Sequence, residues 1–340
     1  MIVVKMKIDF NYTRQEIKYT SGHIFKGNSY RCSFIKFGSL YRNPAPGTEV
    51  VELYNFQPKD KVRASTMILH GLGSSNIKFL LWLGPHLASA GVNTSILILP
   101  GNYTRVENKS VSGRSFLYPD INLMFQFWEH AVVDVLTSID LLEDMGLWKE
   151  NNLLMGYCLG GMISTIVAAI DSRIAHTLFM TTGGNIPKIL HQSPATSFVR
   201  RLFADKSFDA KGLEDKDQLY TEYENQFPMV NSMDIDDLLN SDEINPLFKI
   251  DPISYAHFID KKKVTFVDAF FDSTLPIESR RDLYKLMEGS KRRILPISHI
   301  NWLPFSYFIA KYMLHKLEIN DRVAKKALLK KERIQNPLDK

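Results

Sequence analysis

Short apolar runs alternate along this chain with longer amphipathic stretches. Ala64–Leu69 (ASTMIL), Thr94–Leu99 (TSILIL) and Asn152–Met155 (NLLM) are compact runs too short for a helix of their own. His176–Met180, Val264–Val267 and Arg293–Pro296 continue the series, giving six expected strands. Between them, helical spacing is expected near Phe79–Ala90, over Ile121–Leu147 and over Met162–Ile170. Strands of this kind alternating with helices predict an α/β protein with a mostly parallel central sheet flanked by helices. Ahead of them, RCSFIKFG and TEVVELYNF are rich in β-branched and aromatic residues. The break Asn43-Pro44-Ala45-Pro46-Gly47 separates them, which predicts an antiparallel pair at a sheet edge.

One connection breaks the rhythm. Roughly Pro187–Lys262 lies between the fourth and fifth of these strands and carries many aromatic residues. A connection of that length needs structure or a function of its own. The expectation is an inserted helical lid over 187–262. The remaining organisation is edge strands in 1–62, a core formed by 63–186 with 263–317, and a tail over 318–340.

Charge adds two features. The chain has 340 residues and a formal net charge of +5. From Asp209 to Glu243 there are eleven acidic and two basic residues. From Lys311 to Lys340 there are nine basic and four acidic residues. The basic tail, with Lys325, Lys326, Lys330 and Lys331, has the spacing of an ordinary solvated helix. An anionic surface is the alternative partner for it, and nucleic acid is not expected. The two cysteines, Cys32 and Cys158, form no disulfide framework and fit a reducing, cytoplasmic setting. Burial is the expected role of Cys32. The apolar start MIVVKMKIDFNY is too short for a signal peptide, and no apolar stretch is long enough to span a bilayer.

The chemistry is concentrated at expected strand ends. Gly156-Tyr157-Cys158-Leu159-Gly160-Gly161 has a strand before it and a helix after it. A G-x-nucleophile-x-G turn needs glycines because a side chain there would clash at a sharp strand-to-helix bend. Cys158 is the candidate nucleophile, with Gly156, Gly160 and Gly161 as the elbow glycines. The Leu159 N–H then points at the reacting carbonyl, and the helix N-terminus favours developing negative charge. His70-Gly71-Leu72-Gly73-Ser74 follows an early strand, and Leu72 is the candidate for the second oxyanion-hole N–H. Asp272 lies beyond the fifth strand and is the candidate acid, with Asp268 as its competitor four residues earlier. Of nine histidines, His299 lies just past the last strand, where a general base belongs. Nucleophile, acid and histidine fall in the order this architecture requires. No H-E-x-x-H or paired C-x-x-C occurs, so neither a metal nor another cofactor is expected.

These residues resemble the α/β-hydrolase superfamily, from about Arg31 to Leu317. GYCLGG is similar to the elbow of dienelactone hydrolases and to the G-x-C-x-G-G box of polyhydroxyalkanoate synthases. Asp272, Pro276, His299, Ile300 and Pro304 match the acid and histidine loops of those synthases. The approach NFQPKDKVRASTMILHGLG is more similar to esterase-type members. The resemblance implies a Cys158–His299–Asp272 triad that cleaves a small-molecule ester, thioester or lactone through an acyl-enzyme. Trp302-Leu303-Pro304-Phe305 and the aromatics of the insertion suggest an apolar acyl pocket, or equally a packed core. Acyl transfer is a close variant, and a catalytically silent binding scaffold is the alternative from another class. Oligomeric state stays open.

Overall fold

The computed structural model describes residues 7–73, 77–205, 210, 212–302 and 305–319. Nine strands form one sheet: β1 (Tyr19–Lys26), β2 (Tyr30–Gly38), β3 (Val50–Pro58), β4 (Ala64–Leu69), β5 (Val92–Ile98), β6 (Asn152–Tyr157), β7 (His176–Met180), β8 (Val264–Ala269) and β9 (Lys291–Leu295). Their spatial order is β1-β2-β3-β5-β4-β6-β7-β8-β9. The pairings β1–β2, β2–β3 and β3–β5 are antiparallel. The pairings from β5 through β4 to β9 are all parallel. The mostly parallel sheet is therefore present as expected.

The antiparallel pair is not the edge, because β1 lies outside it. This strand is exposed along its whole length and reads YTSGHIFK, with no apolar alternation to signal it. A bulge between His23 and Phe25 interrupts its register, a common feature of edges. The last strand begins at Lys291, two residues before the expected Arg293, because its sequence KRRIL is largely solvated. The single helix expected at 79–90 is two short pieces, α1 (Lys78–Leu81) and α2 (Leu83–Ala88), joined at Trp82.

Alternation within the strands divides the core into two layers. Met67, Leu69, Leu154, Phe179 and Phe266 face one side. There they meet α3 (Ile121–Asp144) and α4 (Leu159–Ile170). Ile68, Ile96, Met155, Leu178 and Val267 face the other side, against α1, α2 and a late helix, Ser306–Lys316. The start of α3 is set by Asp120, whose carboxylate accepts the N–H groups of Asn122 and Leu123. Gly146, at φ +68, lets the chain turn back after α3 ends.

The 187–262 insertion is helical. It contains most of α5 (Ile186–Gln192), then α6 (Ser197–Ala204), α7 (Lys216–Val230), α8 (Ile235–Asn240) and α9 (Pro252–Tyr255). Its anchor is Asp251, which is buried and accepts N–H groups from Asn185 (2.8 Å), Ile186 (2.6 Å) and Ile253 (3.1 Å). Burial pushes this carboxyl up to about 6 despite those donors. After the insertion, α10 (Ile277–Leu286) returns to the first layer, and α11 (Ser306–Lys316) closes the second. The basic tail from residue 320 onward lies outside the described residues. Among the described residues, no helix is long and apolar enough to cross a membrane.

Candidate active site

Five strand ends converge on one edge of the sheet. Tyr157 ends β6, and Cys158 follows at φ 52, ψ −116, a strained backbone that only the turn around it sustains. The glycines explain how that turn fits. A Cβ at Gly156 would sit 2.3 Å from the Gly160 carbonyl oxygen. One at Gly160 would sit 2.4 Å from the Leu69 carbonyl oxygen, and one at Gly161 2.6 Å from the Thr182 Cβ. The Thr182 hydroxyl donates to the Cys158 carbonyl at 2.8 Å and pins the elbow from β7's side.

His299 and Asp272 come from the loops after β9 and β8. Nδ1 of His299 lies 2.9 Å from Oδ2 of Asp272. The other carboxylate oxygen accepts the N–H groups of Thr274 (2.9 Å) and Leu275 (3.0 Å). Burial works against the Asp272 charge, but the ring and these two donors hold its carboxyl below the usual range. Asp268 does not compete. It lies within β8 and its carboxylate is taken at 2.6 Å by Arg292 of the neighbouring strand.

Cys158 and His299 line the same cavity. Burial alone lowers the ring's proton affinity. The electrostatic influence of Cys158, together with Asp272, outweighs it and raises His299 to about 10.

The two backbone donors are placed by different means. Leu159 is the first residue of α4, so its N–H has no partner within the helix. The Leu72 loop is held by His70, which is fully buried. Nε2 of His70 accepts the Leu99 N–H at 3.0 Å, so Nδ1 carries the hydrogen and donates to the Gly71 carbonyl at 2.8 Å. Burial pulls this ring down to about 4, which keeps it neutral in that tautomer. The His70 carbonyl also accepts the Gly160 N–H at 3.0 Å, tying the loop to the elbow. A Cβ at Gly71 would sit 3.2 Å from that of Cys158, so the loop approaches the thiol closely.

A cavity of about 150 Å³ opens on Cys158. Leu72, Leu117, Met162, Leu275 and Ile300 make it apolar, and Ile189, Ser193, Ala195 and Thr196 come from the insertion. Trp302 does not line it. That ring is fully buried against Phe79 and Tyr157, so it belongs to a core. Leu303, Pro304 and Ser74 lie outside the described residues. The insertion aromatics Tyr220, Tyr223 and Phe227 face a separate cavity of about 370 Å³. Cys32 is buried in β2, and desolvation pushes its thiol up to about 12.

Two neighbours of the site had no signal in the sequence. Tyr157 donates its hydroxyl to the His299 carbonyl at 2.9 Å and packs its ring 5.3 Å from the imidazole. Arg280 of α10 is buried with Nε 3.8 Å from Asp272 Oδ2. Among the described residues, no group of three or more His, Cys, Asp or Glu side chains is arranged to hold a metal ion.

No family model matches the chain, and no curated protein matches its sequence. Solved structures do match. Acetyl xylan esterase 1 from Thermoanaerobacterium sp. JW/SL YS485 is 17% identical, with TM-score 0.55 over 89% of each chain. An acetyl xylan esterase from Paenibacillus sp. R4 is 13% identical, with TM-score 0.61 over 88% of this chain and 89% of that one. The Pyrococcus horikoshii acylaminoacyl peptidase is 12% identical, with TM-score 0.55 over 85% of this chain and 41% of its own. With the strand order and crossovers described above, these likenesses define the architecture: the chain has the α/β-hydrolase fold.

Proposed function

We propose that this protein is a carboxylic ester hydrolase with Cys158 as nucleophile, His299 as acid and base, and Asp272 as the acid that orients it. The observation that carries the reading is the pairing of His299 Nδ1 with a buried Asp272 carboxylate at 2.9 Å, in the cavity that Cys158 also lines. Its place on a strained, glycine-framed turn beside two backbone donors supports the same reading. The Cys158 sulfur attacks the substrate carbonyl while the proton resides on His299. The N–H groups of Leu72 and Leu159 hold the oxyanion. His299 gives its proton to the leaving alcohol or thiol, the C–O or C–S bond breaks, and an acyl-thioester remains on Cys158. Water then attacks that thioester, His299 takes its proton, and the carboxylic acid and thiol are released.

The insertion acts as a lid in this reading, because Ile189, Ser193, Ala195 and Thr196 wall the cavity. The cavity is well below the roughly 300–1,000 Å³ of drug-sized sites, so a short apolar acyl group is the preferred substrate part. Esterase activity in the two acetyl xylan esterases of the same fold is consistent with an acyl group of that size.

The direct test is mass spectrometry after brief exposure to p-nitrophenyl acetate and to a matching acyl-thioester. An acetyl adduct on Cys158 that decays with release of acetate supports the hydrolase. An adduct that decays only with an added alcohol or thiol assigns acyl transfer instead. No adduct and no turnover on either probe returns the chain to a silent scaffold.

The ring itself gives a second test. A His299 raised to about 10 is charged at neutral pH and loses its proton only in alkali. Followed by NMR, its titration should lie far above an ordinary histidine's. In Cys158→Ala it should move to lower pH, because the interaction with Cys158 is the largest influence that raises it, with Asp272 supplying the rest. A titration unchanged by that substitution would break the proposed pairing.

A further inference from the structure

The opposite edge of the sheet carries a basic cleft that the proposed chemistry does not use. It is lined by His176, Lys262, Lys291, His315, Lys316, Glu318 and Ile319. His176 begins β7, the run Lys261–Lys263 precedes β8, Lys291 begins β9, and Lys316 ends α11. The strand starts among these belong to β7, β8 and β9, and the loops after the C-terminal ends of β8 and β9 carry Asp272 and His299. Strands of five or six residues separate the two edges by about 15–20 Å.

We infer that this cleft binds a small soluble molecule bearing two or more linked phosphates. Among the described residues, three lysines and two histidines face one carboxylate, Glu318, in a cleft of about 600 Å³. Among the described residues, Lys262, Lys291 and Lys316 have no carboxylate in ion-pair range. Nδ1 of His176 is buried there without a hydrogen-bond partner. Like charges gathered this way repel one another. Burial, then the charges of Lys291 and Arg293, lower the proton affinity of Lys316. Burial, then Lys316 and Lys263, lower that of His176. An anion in the cleft relieves that repulsion and supplies acceptors for donors that lack them. Lysines spaced around a concavity suit several phosphate oxygens, each ammonium acting as a point charge. One carboxylate or one phosphate would leave part of the charge unmatched.

The test is calorimetric titration of the full chain with inorganic pyrophosphate and with tripolyphosphate at constant ionic strength. Both should bind with one-site stoichiometry and more tightly than orthophosphate. Lys291→Glu/Lys316→Glu should weaken both by a factor of about ten or more. The control Lys18→Glu/Lys26→Glu makes the same change in net charge at exposed positions outside the cleft and should leave binding unchanged. Thermal melts of both double variants verify that they fold. If the cleft variant fails to fold, Lys262→Gln alone should still weaken pyrophosphate binding. Absence of pyrophosphate binding to the wild type overturns the inference. So does equal loss in the control, which would mean attraction to net charge alone. Binding to single-stranded oligonucleotides or phosphatidylserine vesicles without pyrophosphate binding assigns a different partner and also overturns it.

Discussion

Cys158→Ala is expected to lower ester turnover by about 10⁴- to 10⁶-fold, with the melting temperature little changed. The size of the loss follows from what the thiol does in the proposed reaction. It forms the covalent bond, and without it His299 and Asp272 have no nucleophile to assist. The backbone reason for an intact fold is also specific. Residue 158 sits at φ 52 with either side chain, so alanine neither adds nor removes the strain of the turn. Cys158→Ser separates two meanings of such a loss. A hydroxyl holds its proton far more tightly than a thiol, so His299 should revert to a neutral ring that must act as a general base. Turnover is then expected to fall by about 10² or more, yet stay above that of the alanine variant. Steady-state rates on p-nitrophenyl acetate, with melts of each variant, check both statements. Turnover preserved in Cys158→Ala would remove the cysteine from the mechanism and with it the proposed function.

The candidate site was more legible in the sequence than its supports were. Cys158, Asp272 and His299 could be chosen because each follows a strand end, and strand ends are visible as apolar runs closed by small or polar residues. Asp268 and Asp272 could be ranked for the same reason, and the ion pair of Asp268 with Arg292 now gives the ranking a physical cause. Tyr157, Thr182 and Arg280 were not legible. Their contacts join elements far apart in the chain, and no spacing rule links a tyrosine in an elbow to a carbonyl 142 residues later. The centre and the edge of the sheet show a similar contrast. Buried strands such as β4 and β6 announce themselves by continuous apolar residues, whereas β1 is exposed on both faces and leaves no pattern to read. The sequence around Trp302 fits an acyl pocket and a packed core equally well, because apolar composition cannot say which cavity a ring fills. Packing on Phe79 and Tyr157 makes Trp302 a core residue.

A second large effect is expected far from the thiol, at a buried charge network that nothing in the sequence disclosed. Asp134 in the middle of α3 is fully buried, and its Oδ2 lies 2.7 Å from Nη2 of Arg105. Arg105 also donates to the carbonyls of Ile98 (2.7 Å) and Thr48 (2.6 Å). The Ser39 hydroxyl donates to Asp134 Oδ1 at 2.6 Å, and His130 Nε2 lies 3.2 Å from Oδ2. The network thus ties the loops flanking β2, β3 and β5 to the helix behind the sheet. Burial opposes the Asp134 charge, but His130 and Arg105 overcome it and bring the carboxyl down to about 2. A depressed carboxyl contributes stability that is present above its unfolded value near 3.8 and is lost as pH falls through about 2. Asp134→Ala should therefore cost about 3–5 kcal/mol at neutral pH, because it leaves the Arg105 guanidinium buried without its counter-charge. That is a large share of the stability of a typical domain, about 5–15 kcal/mol. Arg105→Met/Asp134→Leu should cost less than the sum of the two single changes, since removing both charges leaves neither stranded. Chemical denaturation of the four proteins at pH 7 completes the cycle. Additive losses would mean that Arg105 and Asp134 each act through their backbone and hydroxyl partners alone, and that the ion pair couples nothing.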